Sequence, residues 1–202
     1  KGAIDLLLNY EQIDEGWDIP FEKFANDKGL VNIKVLPIIW VTRLAVTRRP
    51  LQEKLTLFWH DHFATATSKV DVAPAMNKQN ETLRANCKGR FEDLLLAVSK
   101  DPATIYWLDN QENVKEKPNE NFAREVMELF TLGIGHYTEK DVQEGARAFT
   151  GWGFLGQRAR DSKPRGATQF QFREALHDDG VKAILGNKGN FNGDDVLGIL
   201  CG

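Results

Sequence analysis

The chain has few cysteines, little net charge and no long apolar run, and each shortage excludes a class of protein. Its two cysteines, Cys87 and Cys201, lack the spacing of a metal-binding motif and are too few for a disulfide framework. We interpret them as packing thiols, because a free cysteine behaves as a small buried hydrophobe. A formal charge of −3 gives the chain no electrostatic attraction to nucleic acid or to an acidic membrane. We therefore expect no nucleic-acid partner.

The longest apolar run extends from Val35 to Val46 and is interrupted by Pro37 and Arg43. It falls short of the ~18 apolar residues that a helix needs to span a bilayer, so we predict no transmembrane segment. With 42% hydrophobic and 27% charged residues, the composition is that of a globular protein. A chain of 202 residues can bury a core of its own, and we expect a single helical domain over residues 1–202.

The two termini suggest a longer parent protein. The chain begins at Lys1 without a methionine and enters an apolar pattern within two residues. It ends in DDVLGILCG, which is typical of the opening turns of a helix. We therefore expect the sequence to be a fragment, with any export signal outside it.

Apolar periodicity and capping residues predict at least seven helical segments. Pro50 suits the first turn of one helix, and the side chains that share its predicted core face are Leu51, Leu55, Phe58 and His62. The run 36–47 is apolar enough to be a buried helix, with Arg43 as its one charge. Residues 110–117 are polar and are predicted to form a surface loop. The other predicted helices cover approximately 3–10, 73–87, 91–99, 102–107, 119–130 and 139–149, with a last one from Asp194.

After Trp152 the pattern changes from helix to loop and strand. Residues 156–168 have no apolar period and hold four basic residues against one acid, namely Arg158, Arg160, Lys163 and Arg165. We interpret this segment as a mobile basic loop, with a contact for an anionic partner as the alternative. The alternating residues 170–172, the turn dipeptide Asp179-Gly180 and the apolar stretch 181–185 predict an antiparallel hairpin. The predicted fold class is mainly α, an irregular multi-helix domain with a small antiparallel β-hairpin near residues 170–185.

The histidines His60 and His62 have a spacing that is common among metal ligands. Side chains two residues apart share a face in a strand, whereas in a helix they diverge by ~200°. The pair can therefore bind one metal ion only if the helix from Pro50 ends near Trp59. A hydrogen-bonded role in the core is the alternative for each histidine.

The segment from Pro118 to Trp152 carries an unusual share of the polar groups suited to chemistry. Its first helix has two predicted faces. The apolar face comprises Phe122, Ala123, Val126, Met127, Leu129 and Phe130. The polar face comprises Asn121, Arg124, Glu125 and Glu128. In solvent these charges would form pairs worth ~0.2–0.5 kcal/mol each. If the polar face were buried, its carboxylates would need a cation, a metal ion or a shared proton.

Two further histidines lie in predicted turns. His136 stands between the end of one helix and Thr138, which begins the next helix with Asp141 as a capping box. A histidine held there suits a metal ligand or a proton-transfer group, and equally a cation that caps a helix C-terminus. His177 and Asp178 precede the predicted hairpin turn, either as part of the turn or as an imidazole–carboxylate contact.

Three sets of motifs resemble the bacterial family known as domain of unknown function 1800. They are LFWHDHFATATSKV; LDNQ with PNENFAREVMELFTLGIGHYTEKDVQEGARAFTGW; and FQF with HDDG and ILGNKGNFNGDDVL. The resemblance extends from about Leu51 to Leu200 and includes all four histidines of the chain. Members of that family are longer and commonly carry export signals, so the resemblance implies a fragment of an exported, periplasmic protein. It implies no particular reaction.

Two functional hypotheses follow. The first is a metal-dependent, hydrolase-like enzyme that binds a divalent zinc, manganese or iron ion through imidazole and carboxylate groups. Its candidate metal ligands are His60, His62, Glu125, His136, His177 and Asp178. Its candidate catalytic residues are Arg124, Glu125, Glu128 and His136, and Arg124 would orient a carboxylate or an anionic substrate. The second is a non-catalytic helical scaffold or partner-binding module of the cell envelope, in which the polar groups form buried networks that fix helix packing.

Overall fold

A computed structural model describes residues 2–17, 19–27, 30–157, 163–164 and 169–202. These residues form nine α-helices: α1 (Gly2–Leu8), α2 (Leu36–Val46), α3 (Pro50–His62), α4 (Ala73–Asn86), α5 (Phe91–Ser99), α6 (Pro102–Trp107), α7 (Asn121–Glu125), α8 (Glu139–Ala148) and α9 (Gly193–Cys201). The four strands are β1 (Trp152–Phe154), β2 (Phe170–Phe172), β3 (Lys182–Ile184) and β4 (Asn187–Gly189). The mainly α prediction is confirmed. No helix in the described ranges is long and apolar enough to cross a membrane.

The main apolar core is built mostly by the second half of the chain, with contributions from Phe63, α4 and α5. The rings of Phe122 from α7 and Phe149 after α8 pack edge to face, with centroids 4.9 Å apart. Trp152 packs edge to face against Phe149 at 5.2 Å. Val142 and Ala146 of α8, four positions apart on one helix face, are fully buried in the same core. These contacts hold α7, α8 and β1 together.

Local capping signals fix where several helices begin. Thr138 and Asp141 form the predicted capping box of α8, in which the Thr138 hydroxyl accepts from the Asp141 amide. The Asp101 carboxylate accepts from the Ala103 amide at 2.9 Å and caps α6. Both helices therefore begin at the residues that the sequence predicts.

The helix that begins as α7 continues as a π-helix over Val126–Thr131. In this segment the Leu132 amide donates to the carbonyl of Met127, five residues earlier, at 2.9 Å. A π-helix turns through a smaller angle per residue than an α-helix does. Leu129 is 57% exposed, so its predicted place on the apolar face is wrong.

Two antiparallel strand pairs stand where one hairpin is predicted. β2 pairs with β1, with Phe170 opposite Phe154, and β3 pairs with β4. The tight turn of the second pair is Leu185-Gly186, where both residues have positive φ. Antiparallel structure near residues 170–185 is confirmed, but the pairing of 170–172 with 181–185 is wrong. Strand patterns show where strands form, whereas their partners depend on the packing of distant segments.

Helices α2 and α3 bury charged side chains and expose several apolar ones. The buried residue of α2 is Arg43, whereas Ile38 is 65% exposed. In α3, Glu53 is fully buried, whereas Phe58 is 59% exposed. The predicted helix over 36–47 is confirmed as α2, but its predicted burial and the predicted core position of Phe58 are wrong. The reason is an ionic cluster that Arg43 and Glu53 form with α4.

The predicted surface loop over 110–117 is also partly buried. Asn110 and Asn113 are fully buried. The Asn113 amide donates to the Ala146 carbonyl at 2.8 Å, and its backbone carbonyl accepts from Gly151 at 3.0 Å. Polar side chains occupy this position because they satisfy backbone groups at the end of α8.

The predicted basic loop over 156–168 lies largely outside the described residues, which exclude Arg158, Arg160 and Arg165. Lys163 is described, and its amine lies 2.5 Å from the Asp71 carboxylate. That ion pair links the segment to the stretch before α4.

Candidate functional site

A cavity of about 410 Å³ lies between helices α2, α3 and α4 and the residues that connect α1 to α2, here called the N-terminal segment. Its volume falls within the range of ~300–1,000 Å³ that is usual for small-molecule sites. One part of its lining is aromatic and consists of Trp17, Phe21, Phe24 and Trp40. The polar part consists of Arg43, His60, Asn77, Asn80, Glu81 and Arg84. The α4 residues are three or four positions apart, so they lie on one face of that helix.

An ionic cluster around the buried Glu53 forms the floor of the cavity. Arg84 donates through Nε to Glu53 Oε1 at 2.5 Å and through Nη2 to Glu53 Oε2 at 3.1 Å. The Trp40 indole donates to Glu53 Oε2 at 3.1 Å, and Arg43 Nε lies 3.5 Å from Glu53 Oε1. The bidentate guanidinium and the indole together compensate the burial of the carboxylate.

Arg43 joins this cluster to the N-terminal segment. Its Nε and Nη2 donate to the Glu15 carboxylate at 2.5 Å and 2.6 Å, and its Nη1 donates to Glu81 at 2.8 Å. Burial opposes the charge of Arg43, but the bond to Glu15 and the charges of Glu81, Glu15 and Glu53 hold its pKa above the ordinary value. Arg43 therefore stays charged, and its contacts fix one wall of the cavity.

His60 presents a buried ring nitrogen to the same cavity. Its Nδ1 has no hydrogen-bond partner among the described residues. Its ring packs edge to face against Trp40, with centroids 5.1 Å apart. Burial lowers the pKa of His60, and the charge of Asp61 opposes that shift. The imidazole is therefore neutral at neutral pH, and its buried Nδ1 has no hydrogen-bond partner among the described residues.

The two histidines of α3 diverge, because the helix continues through His62. The His62 Nε2 lies 3.1 Å from the Phe130 carbonyl. Its ring packs edge to face against Phe63 and Trp59, at centroid distances of 4.7 Å and 5.7 Å. His62 therefore takes the hydrogen-bonded, packed role that the helical alternative predicts.

The other two histidines lie in separate surroundings. His136 is exposed in the turn before α8. His177 is buried, with its Nδ1 3.0 Å from the Thr150 carbonyl. Asp178 accepts two hydrogen bonds from Arg147, at 2.8 Å and 3.0 Å, and the bond to Arg147 lowers its pKa. Asp178 is thus committed to a guanidinium group.

The predicted metal ligands are not brought together. Within the described parts of the chain, no group of three or more His, Cys, Asp and Glu side chains could hold a metal ion. The ligands proposed from the sequence were His60, His62, Glu125, His136, His177 and Asp178. They lie on diverging helix faces and in separate turns, and the described structure gives no support to a metal site.

The predicted catalytic face of α7 is partly exposed and pairs with the start of α8. Arg124 donates to Glu139 at 2.8 Å and 2.7 Å and to Glu120 at 3.1 Å. Glu128 accepts a hydrogen bond from the Tyr137 hydroxyl. Burial, with the charge of Glu128, raises the pKa of Glu125. The face offers polar groups to solvent but does not line the cavity.

A family model described as a protein of unknown function, DUF1800, matches residues 19–202. The chain belongs to the DUF1800 family. The match includes every residue that lines the cavity except Trp17. Comparisons of this DUF1800 chain with curated proteins and with solved structures gave no match.

Sequence interpretation found one polar residue of this DUF1800 cavity as a candidate ligand, His60. It missed the lining residues Asn80, Glu81 and Arg84, and it missed Glu53, which pairs with Arg84. Arg43 is the one residue whose sequence context indicates a buried ionic cluster, because a charge in an apolar helix is almost never fully buried without a partner. Its partners Glu15 and Glu81 lie 28 and 38 residues away in the chain. No local pattern connects residues at such separations.

Proposed function

We propose that this domain binds a small organic molecule in the cavity between its N-terminal segment and α2–α4. The observation that carries the proposal is a single cavity with four aromatic side chains and a polar wall that is only partly hydrogen-bonded. Ligand sites generally combine an apolar lining with a few convergent polar groups. The aromatic side chains offer large apolar surfaces, and the ionic cluster holds the polar groups in place.

A metal-dependent hydrolase is not our proposal, because the described residues offer no gathered set of ligands. Catalytic roles for Arg124, Glu125, Glu128 and His136 stay predictions, as do export and a partner in the cell envelope. If the cavity supports a reaction, His60 is the lining residue suited to proton transfer, since its imidazole is neutral and no hydrogen bond from the described residues engages its Nδ1.

The scaffold hypothesis has one observation in its favour. The cluster of Glu15, Arg43, Glu53 and Arg84 joins the N-terminal segment to α2, α3 and α4. A buried network of this kind fixes how elements pack, whether or not a ligand binds. The scaffold hypothesis does not explain the aromatic cavity beside the cluster. We therefore prefer the binding proposal.

The test is a screen of small aromatic compounds, with the indole N–H signals of the protein followed by NMR. Bound compounds are expected to shift the signals of Trp17 and Trp40, which line the cavity, and to leave Trp152 in the other half unchanged. Phe21→Ala removes one aromatic wall and is expected to weaken binding about tenfold, equivalent to ~1.4 kcal/mol.

Phe58→Ala provides the matched control, because Phe58 is exposed and does not line the cavity. This variant is expected to bind as the parent does. A screen in which no compound shifts Trp17 or Trp40 would contradict the binding proposal and favour the scaffold.

A further inference from the structure

Two N–H groups in the polar wall of the cavity have no hydrogen-bond partner among the residues that the structure describes. They are Asn80 Nδ2 and Arg84 Nη1, and both atoms are buried. The orientation of the Asn80 amide is fixed, because its Oδ1 accepts from Arg84 Nη2 at 2.6 Å. Amide and guanidinium nitrogens donate hydrogen bonds and do not accept them. A ligand that faces these two groups must therefore bring an acceptor oxygen.

Glu81 shows what kind of oxygen the two arginines hold. Its Oε1 lies 2.8 Å from Arg43 Nη1 and 2.8 Å from Arg84 Nη1. The contact with Arg43 is a hydrogen bond, whereas the contact with Arg84 is an ion pair without hydrogen-bond alignment. The site thus attracts a carboxylate, and Glu81 satisfies it only in part.

Glu81 is also the carboxylate of the cluster that can leave most readily. Its side chain is 49% exposed, against 1% for Glu53 and 15% for Glu15. Glu53 and Glu15 each hold a guanidinium group through two hydrogen bonds, whereas the Glu81 contacts converge on one oxygen. Glu81 can turn into solvent and keep its charge hydrated. Glu15 and Glu53 cannot do so without breaking two hydrogen bonds each to a guanidinium group.

We propose that the cavity takes a small aromatic acid whose carboxylate replaces that of Glu81 between Arg43 and Arg84, on the side of Asn80. This inference rests on the proposed function, because it names the class of molecule that the same cavity binds. The ligand's aromatic body would lie against Trp40 and Phe21. Once Glu81 has moved away from Arg84 Nη1, the ligand carboxylate would accept from this group and from Asn80 Nδ2, the two buried donors without a hydrogen-bond partner.

The charge balance of the cluster indicates that the ligand replaces Glu81 and does not bind in addition to it. Arg43 and Arg84 face three carboxylates, those of Glu15, Glu53 and Glu81. A fourth carboxylate in this part-buried site would be repelled. Once Glu81 has turned outward, two arginines and two glutamates remain, and the ligand takes the vacated position.

The test compares two probes that differ in charge, indole-3-acetate and indole-3-acetamide, by calorimetric titration of the purified protein. The parent protein is expected to bind the acid more tightly than the amide. Glu81→Gln removes the competing charge, so it is expected to tighten acid binding about tenfold and leave amide binding unchanged. Glu81 is half-exposed, so the variant is expected to fold, and circular dichroism checks that it does.

Glu120→Gln is the matched control. Glu120 also forms an ion pair with an arginine, but it lies on α7's side of the molecule and does not line the cavity. It is expected to leave both affinities unchanged. Equal binding of acid and amide, both weakened by Phe21→Ala, would overturn the carboxylate site and leave small-molecule binding standing. Binding of neither probe by the parent or by Glu81→Gln would count against both proposals.

Discussion

The two halves of this domain differ in what lies at the centre of each: an aromatic core in one and an ionic cluster in the other. In the C-terminal half, the centre is occupied by Phe122, Phe149 and Trp152, as the hydrophobic effect favours. In the N-terminal half, Glu53 and Arg84 are buried, while apolar residues of α2 and α3 face outward. The same chain therefore uses apolar packing to hold one half together and paired charges to shape the other.

This contrast indicates that the two halves contribute differently to stability and to ligand binding. A buried ion pair is rarely the most stable choice, because desolvation offsets much of the attraction between its charges. Glu53 and Arg84 nevertheless lie beside a cavity whose polar wall has two donor groups without hydrogen-bond partners among the described residues, whereas the rings around Phe122 are closely packed. We infer that the C-terminal half supplies most of the stability and that the N-terminal half holds the site.

The largest expected effect tests the apolar half. Phe122→Ala is expected to lower the free energy of unfolding by about 4 kcal/mol, because it opens a cavity beside Phe149 and Trp152. Phe58→Ala is expected to change it by less than ~0.5 kcal/mol, since that ring is largely exposed. Urea unfolding measures both values. Equal losses would mean that the apolar face of α3 is covered by something in solution.

The next effect tests the charged half. Glu53→Gln is expected to lower the free energy of unfolding by about 3 kcal/mol, because the buried Arg84 loses its bidentate partner and keeps only the half-exposed Glu81 as a counter-charge. Replacing Arg84 with Met in the same protein is expected to restore part of that loss. Glu120→Gln breaks an exposed pair with Arg124 and is expected to change stability by less than ~1 kcal/mol. A double variant less stable than Glu53→Gln alone would contradict this account.

The last effect is distributed over pH and concerns Asp101, a buried carboxylate to which, unlike Glu53, no guanidinium group of the described residues donates. Burial raises its pKa to about 7, although bonds from the Ala103 and Thr104 amides oppose the shift. In the unfolded chain an aspartate titrates near ~3.9. Between about pH 4 and pH 7 the folded protein therefore holds a proton that the unfolded chain has lost. Stability should decrease as the pH rises through this window.

Asp101→Asn keeps a side chain that can cap α6 and removes the titration. The variant is expected to show a flatter dependence of unfolding free energy on pH, by up to about 1.4 kcal/mol for each pH unit in the window. Urea unfolding at several pH values compares the slopes. Identical slopes for parent and variant would show that Asp101 is ionised throughout.

The sequence predicted most accurately those features that depend on signals within a few residues, such as helix boundaries. Helix α5 over Phe91–Ser99 and α6 over Pro102–Trp107 match the prediction at both ends, because capping residues and apolar spacing act within a few positions. The strand pairs were mispredicted, because the partner of Phe170–Phe172 depends on long-range packing.

The candidate site was harder to predict for the same reason. Glu53 and Arg84 are 31 residues apart, and on their own helices each resembles an ordinary solvent-facing charge. Periodicity placed the apolar residues of α3 in the core, and the pairing of buried charges overrode it. His60 was found because its residue type is chemically distinctive, although its role as a metal ligand gained no support.

The π-helix over Val126–Thr131 has a consequence for how the chain tolerates changes in length. A hydrogen-bonded ring that spans five residues holds one residue more than the ring of an α-helix. Loss of one residue here could be absorbed by tightening to α geometry, which keeps α7 continuous with the turn before α8. The same loss within α8 would rotate Val142 and Ala146 out of the core. The widened helix is thus the point in the C-terminal half where the chain can shorten, at the expense of the contact between His62 and the Phe130 carbonyl.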